Sequence, residues 1–185
     1  MTITTLYATE DTYVDEAVPN NNYGYGVTLY CASRNLSRNK RYFVKFNISS
    51  LAGKIINSAK LRVYCTFGVT KRTYEYRRCT QNLAETAITW NNQPTITDTN
   101  GINQAAPAIS GWHEVLYLEE MVKDGLSDGY IWIRVKDYSE SESDTNYQTT
   151  YRSREYDTLD PELVVDWSEP VAGIVSKRLL VGVGL

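Results

Sequence analysis

Apolar and polar residues alternate with a period of two through much of this chain. Between Arg41 and Ile48, the side chains of Tyr42, Val44, Phe46 and Ile48 fall on one face of an extended backbone, with Arg41, Lys45 and Asn47 on the other. From Leu61 to Phe67, the residues Leu61, Val63, Cys65 and Phe67 oppose Arg62, Tyr64 and Thr66. Ile131, Ile133 and Val135 oppose Tyr130, Trp132 and Arg134, and Leu163, Val165 and Trp167 oppose Val164 and Asp166. Each segment reads as a strand with one face to a core and one to solvent. Turn-forming stretches separate them: Pro19-Asn20-Asn21-Asn22, Gly24 and Gly26, Gly53, Asn91-Asn92-Gln93-Pro94, Asn100-Gly101 and Asp160-Pro161. Many short strands punctuated in this way predict an all-β sandwich or barrel.

One segment departs from the alternation. Val115, Leu118, Met121 and Val122 recur at helical spacing and Gly125 follows as a C-terminal cap, which predicts a short helix within residues 116–124. After Trp167 the character changes again. Ser168-Glu169-Pro170 reads as a linker, and an apolar stretch with interspersed glycines runs to Leu185. The chain therefore divides into one domain over 1–167 and an extension over 168–185.

Composition sharpens this picture. Fifteen Tyr and four Trp among 185 residues favour strands. Nineteen basic against 22 acidic side chains, a net charge of −3, argue against a general nucleic-acid binder. No apolar run reaches the ~18 residues of a membrane span. Cys31, Cys65 and Cys79 lack metal-ligand spacing and read as small buried side chains, a Cys65–Cys79 bridge being the alternative.

The order of short motifs carries a resemblance. Asp11-Thr12-Tyr13-Val14, Asn22-Tyr23-Gly24, Arg41 to Ser49, Ser58-Ala59-Lys60-Leu61, Glu85 and Ile88 to Pro94 follow one another. Gly111-Trp112, Ser153-Arg154-Glu155 and Pro161 to Val165 complete the series. In this respect residues 6–167 resemble the DNRLRE-domain family, which is related to carbohydrate-binding module family 96. The resemblance implies a jelly-roll β-sandwich of two antiparallel sheets, found as an accessory or display module on secreted and cell-surface proteins, whose characterised relatives bind acidic polysaccharide and are not enzymes. Leu83 departs from the pattern, standing where the family usually has Trp.

Candidate sites follow from residue chemistry. Tyr130, Trp132 and Arg134 project together on one strand face. Arg62 with Tyr64, and Arg41 with Phe43 and Lys45, show the same mixture of aromatic and basic groups. Rings stack on sugars and guanidinium forks onto carboxylates, so these seven residues (Arg41, Lys45, Arg62, Tyr64, Tyr130, Trp132 and Arg134) suit an acidic glycan. The alternative is cation–π packing on a solvated sheet, or a face covered by the tail. Trp90 with Asn91-Asn92-Gln93-Pro94 reads as a plug at the sandwich end with a capped turn, a ligand loop being the alternative. Arg154 and Glu155 read as a pair that fixes a strand. His113, the single histidine, neighbours Glu114, and strand geometry sends the two to opposite faces. Glu10, Asp11 and Asp166 lie near the first and last strands and form a candidate calcium site, solvated loop acids being the alternative.

Two functions compete at this level. One is a surface-displayed, extracellular or cell-surface glycan-binding module without chemistry. The other is a structural or decoration protein of a virus particle, suggested by a start without a secretion signal and an apolar tail. In that reading Leu179, Leu180, Val181, Val183 and Leu185 add as a strand to a protein partner or a second copy of the chain.

Overall fold

The computed structural model describes residues 1–35, 37–140 and 146–171. Eleven strands and one helix are formed among them: β1 (Thr2–Tyr7), β2 (Glu10–Asp15), β3 (Thr28–Arg34), β4 (Lys40–Asn47), β5 (Ile55–Phe67), β6 (Thr73–Cys79), β7 (Ile96–Ala105), β8 (Gly111–Val115), α1 (Glu119–Gly125), β9 (Tyr130–Asp137), β10 (Asn146–Arg152) and β11 (Glu162–Ser168). All pairings are antiparallel.

Two layers result. The first sheet runs β2-β4-β9-β6-β7. The second is built on the long β5, which carries β8 on one side and β11 then β1 on the other; β10 pairs with its far end and β3 with β10. A single pair, Ala32 with Lys40, joins β3 to β4 and curls the two layers into one jelly-roll sandwich.

The core lies between the layers. Tyr42, Val44 and Phe46 of β4, Ile131, Ile133 and Val135 of β9, and Tyr74 and Tyr76 of β6 meet Leu61, Val63 and Cys65 of β5 and Leu163 and Val165 of β11. These inward positions are the ones that the period-two pattern assigns to the core. Phe67 is the exception: it stands 62% exposed at the end of β5. Cys31, Cys65 and Cys79 are buried and free, so the sandwich stands without the Cys65–Cys79 bridge.

The helix begins three residues later than its spacing predicts. Val115 closes β8, and Tyr117 takes φ +68°, a left-handed turn that a helix cannot continue through. Leu118, Met121 and Val122 are nonetheless buried in the core, so the apolar spacing located the packing face correctly.

Candidate functional site

The largest difference from the alternation pattern lies on the outward face of the first sheet. Register places Lys45 opposite both Glu10 and Trp132, and Phe43 opposite both Thr12 and Arg134, so these side chains share that face. It does not meet solvent. The segment between β6 and β7, residues 80–95, folds back over it. There Ile88 joins Val14, Phe43, Cys79 and Trp132 in a second, smaller core, with Leu83, Trp90, Ile96 and Tyr130 packed around it. Trp132 is fully buried. Its expected role as an exposed stacking ring is therefore corrected: it anchors the covering segment.

Several polar contacts hold that segment down. Asn22 donates from Nδ2 to the carbonyls of Glu85 (2.5 Å) and Ile88 (2.7 Å), while its Oδ1 accepts from Gly24 N–H at 3.0 Å. Glu85 accepts from Asp11 N–H at 2.8 Å and from Arg154 Nη2 at 2.5 Å. Trp90 lies under the Arg41 guanidinium, 4.4 Å from ring centre to Cζ, and Gln93 Nε2 donates back to the Trp90 carbonyl. Asn92 closes a turn with Thr89 and donates to the Ala87 carbonyl. The Trp90 loop is thus the expected plug and capped turn, set over the outer face instead of at the sandwich end.

The cations left at the rim of this face are neutralised by near neighbours. Arg41 forks onto Glu140, Lys45 binds Glu10 at 2.5 Å, Arg134 binds Glu75, and Arg77 binds Asp98 at 3.0 Å. Of the seven residues expected to bind glycan, five (Arg41, Lys45, Tyr130, Trp132 and Arg134) belong to this covered, charge-paired face.

Arg62 and Tyr64 stand on the opposite side of the molecule, on the outward face of the second sheet. Arg62 faces Glu162 of β11 and Glu114 of β8, and Tyr64 faces Trp112 of β8. The rings of Tyr64 and Trp112 meet edge to face, 5.7 Å apart. Arg62 lies over Trp112 at 4.3 Å and pairs with Glu162 at 2.5 Å. Arg152, at the end of β10, sits over Tyr64 at 4.9 Å and over Tyr156 at 4.0 Å. Its Nη1 reaches Thr158 at 3.2 Å and its Nε has no acceptor; among the described residues no carboxylate pairs with it. A guanidinium clamped by two tyrosines, half-buried and without an anion from the described residues, is poised for a carboxylate from outside. Trp112, Arg152 and Tyr156 escaped the sequence reading of the site. Trp112 was legible only as part of a motif, and Arg152 and Tyr156 flank a turn whose path sequence does not specify.

Residues 2–167 match the model of carbohydrate-binding module family 96. The chain belongs to that family. Among curated proteins no relative matches it.

The module does not bring its expected calcium ligands together. Glu10 points outward on the first sheet, where Lys45 and the Glu85 N–H hold its two oxygens. Asp11 points inward and accepts from Arg154 N–H at 2.8 Å. Asp166 lies on the outward face of the second sheet, opposite Ser58 and Ile3. Adjacent strand residues face opposite ways, which separates Glu10 from Asp11, and the sandwich separates both from Asp166. Among the described residues no three Asp, Glu, His or Cys side chains are placed to hold a metal ion.

Asp11 is instead part of a buried network with Glu85, Arg154 and Glu155. Burial, aided by the neighbouring Glu155 carboxylate, pushes its carboxyl up to about 8 against the pull of the Arg154 N–H. Arg154 bridges Glu85 and Glu155; the pair sits in a short turn after β10 and ties down the covering segment, where the sequence suggests a pair that fixes a strand. His113 turns inward opposite Val63, its Nε2 3.4 Å from Tyr76 Oη, while Glu114 turns outward opposite Arg62. Burial lowers the His113 pKa, and the two side chains face apart as expected. The expected assembly residues Leu179, Leu180, Val181, Val183 and Leu185 lie outside the described residues.

Proposed function

We propose that this module binds an acidic polysaccharide, without chemistry, on the outward face of the second sheet, and that it works displayed at an extracellular surface. The observation that carries the reading is Arg152. Its guanidinium lies between Tyr64 and Tyr156, beside the Arg62–Trp112 stack, with no carboxylate of the described residues on it. A uronate carboxylate would complete that guanidinium, and the flanking rings would stack on the sugars either side. The first sheet offers no equivalent, because its cations are already paired and its rings are covered.

Isothermal titration with a soluble polyuronate tests this. Charge-assisted hydrogen bonds contribute about 1.5–3 kcal/mol, so Arg152→Ala should weaken binding by roughly ten- to a hundredfold. Arg41→Ala, on the covered face, should leave affinity unchanged. The reverse pattern would move the site to the first sheet, and unchanged affinity in both variants would end the proposal.

A further inference from the structure

The same sheet face that carries Arg152 holds a cavity of about 510 Å³ at its other end, within the usual range for ligand sites. Ile3, Val164, Leu116 and Tyr117 give it apolar walls. The outward residues of β5 link the two ends in order: Ser58 and Lys60 border the cavity, Arg62 lies between, and Tyr64 belongs to the ring platform. From Ser58 to Tyr64 a strand advances roughly 20 Å, so one extended glycan chain can lie across both.

The two ends differ in what they select. Arg152 supplies a positive charge that no carboxylate of the described residues matches. The cavity supplies carboxylates, Asp166 and Glu119, while its one cation, Lys60, is held by Glu114 at 2.8 Å. A second uronate would there meet like charge and apolar wall. A neutral sugar bearing a small apolar group would fill the walls and meet no repulsion. Tyr117 is 70% exposed and takes φ +68°, a conformation costly for a non-glycine residue, so its ring is held at the cavity by a backbone that gains nothing locally from doing so.

We propose that this cavity is a second subsite, which takes an O-acetyl or comparable apolar substituent of the polysaccharide whose carboxylate Arg152 receives. The assignment rests on the acidic-glycan reading of the Arg152 platform. It makes the module selective for a substituted chain over a bare one, by about tenfold, the discrimination a small apolar group earns in such a pocket.

The probes are a polysaccharide of alternating uronic acid and O-acetylated neutral sugar, the same polymer after alkaline deacetylation, and an N-acetylated neutral oligosaccharide, each titrated into the full chain. The acetylated polymer should bind about tenfold tighter than the deacetylated one. Leu116→Asp and Tyr117→Gly should abolish that preference while leaving affinity for the deacetylated polymer intact. Leu116 is 40% exposed and glycine suits the backbone of residue 117, so both variants should fold. Equal affinity of the unaltered chain for both polymers would overturn the subsite. So would a preference that survives in Leu116→Asp, or one that emerges only after residues 169–185 are removed, which would place the chain's own apolar end in the cavity. Binding of the neutral acetylated oligosaccharide alone, lost in Leu116→Asp, would retain the cavity as an acetyl subsite and overturn the acidic-glycan reading instead.

Discussion

The two outward faces of this sandwich are similar in residue type and opposite in fate. Both mix Arg, Lys, Tyr and Trp along alternating strands. On the first sheet, residues 80–95 lie across the strands, Trp132 and Phe43 become a second core, and Arg41, Lys45 and Arg134 find partners nearby. On the second sheet the rings of Tyr64 and Trp112 are partly exposed, and Arg152 stacks on tyrosines without an anion from the described residues. The contrast teaches that alternation assigns a side chain to a face, whereas exposure depends on what else the chain lays over that face. A loop with an Ile and a Trp turns a sheet surface into an interior, because covering apolar rings releases about 25 cal/mol per Å².

The strongest way to break this comparison is to remove its anchor. Trp132→Ala should destabilise the fold by about 3–5 kcal/mol, lowering the thermal midpoint by roughly 6–20 °C. Calorimetry checks it, and a midpoint within a degree or two of the parent would mean that Trp132 is not the buried anchor described. Glu85→Ala should follow closely. It strips the covering segment of its ties to Asp11 N–H and Arg154 and leaves the partly buried guanidinium with Glu155 alone, at a cost of about 1–3 kcal/mol. Chemical denaturation measures this, and limited proteolysis should show cutting within residues 80–95 before the rest of the domain.

The same tie gives the fold a pH dependence. The Asp11 carboxyl is raised from its ordinary 3.8 to about 8, so the folded chain retains a proton that the unfolded chain releases across that window. Stability should therefore fall as pH rises from about 4 to 8, with no further contribution from this group beyond either limit. Asp11→Asn keeps a neutral side chain at all pH and should flatten that component of the slope. A slope identical in the variant would assign the proton to another group.

The smallest effect sharpens the open face. Trp112→Ala removes the ring under Arg62, a partly exposed cation–π contact worth about 0.5–1 kcal/mol, so the melting curve should shift only slightly. Polyuronate affinity should fall by several-fold more than that shift accounts for. A large loss of stability with unchanged binding would make the second face structural too.

Fold class was readable from the chain alone, because a period of two in apolar residues has one simple solution in water: strands that bury one side. Tyr42, Val44 and Phe46, and Ile131, Ile133 and Val135, sit where that logic puts them. Motif order added the family, and helical spacing found the buried face of α1, though not its first residue, since nothing in the sequence announces a left-handed Tyr117. The same pattern also separated His113 from Glu114 correctly, a relation between neighbours that strand geometry alone decides. Tertiary structure decided the rest. Whether Trp132 is wet or dry depends on residues 80–95, distant in sequence from it. Whether Glu10, Asp11 and Asp166 converge depends on the side of the sandwich each one faces. That Arg152 completes a platform with Tyr64, Trp112 and Tyr156 depends on β10 lying alongside the end of β5. These are long-range relations, set by the pairing of strands far apart in the chain, and a local period carries no information about them.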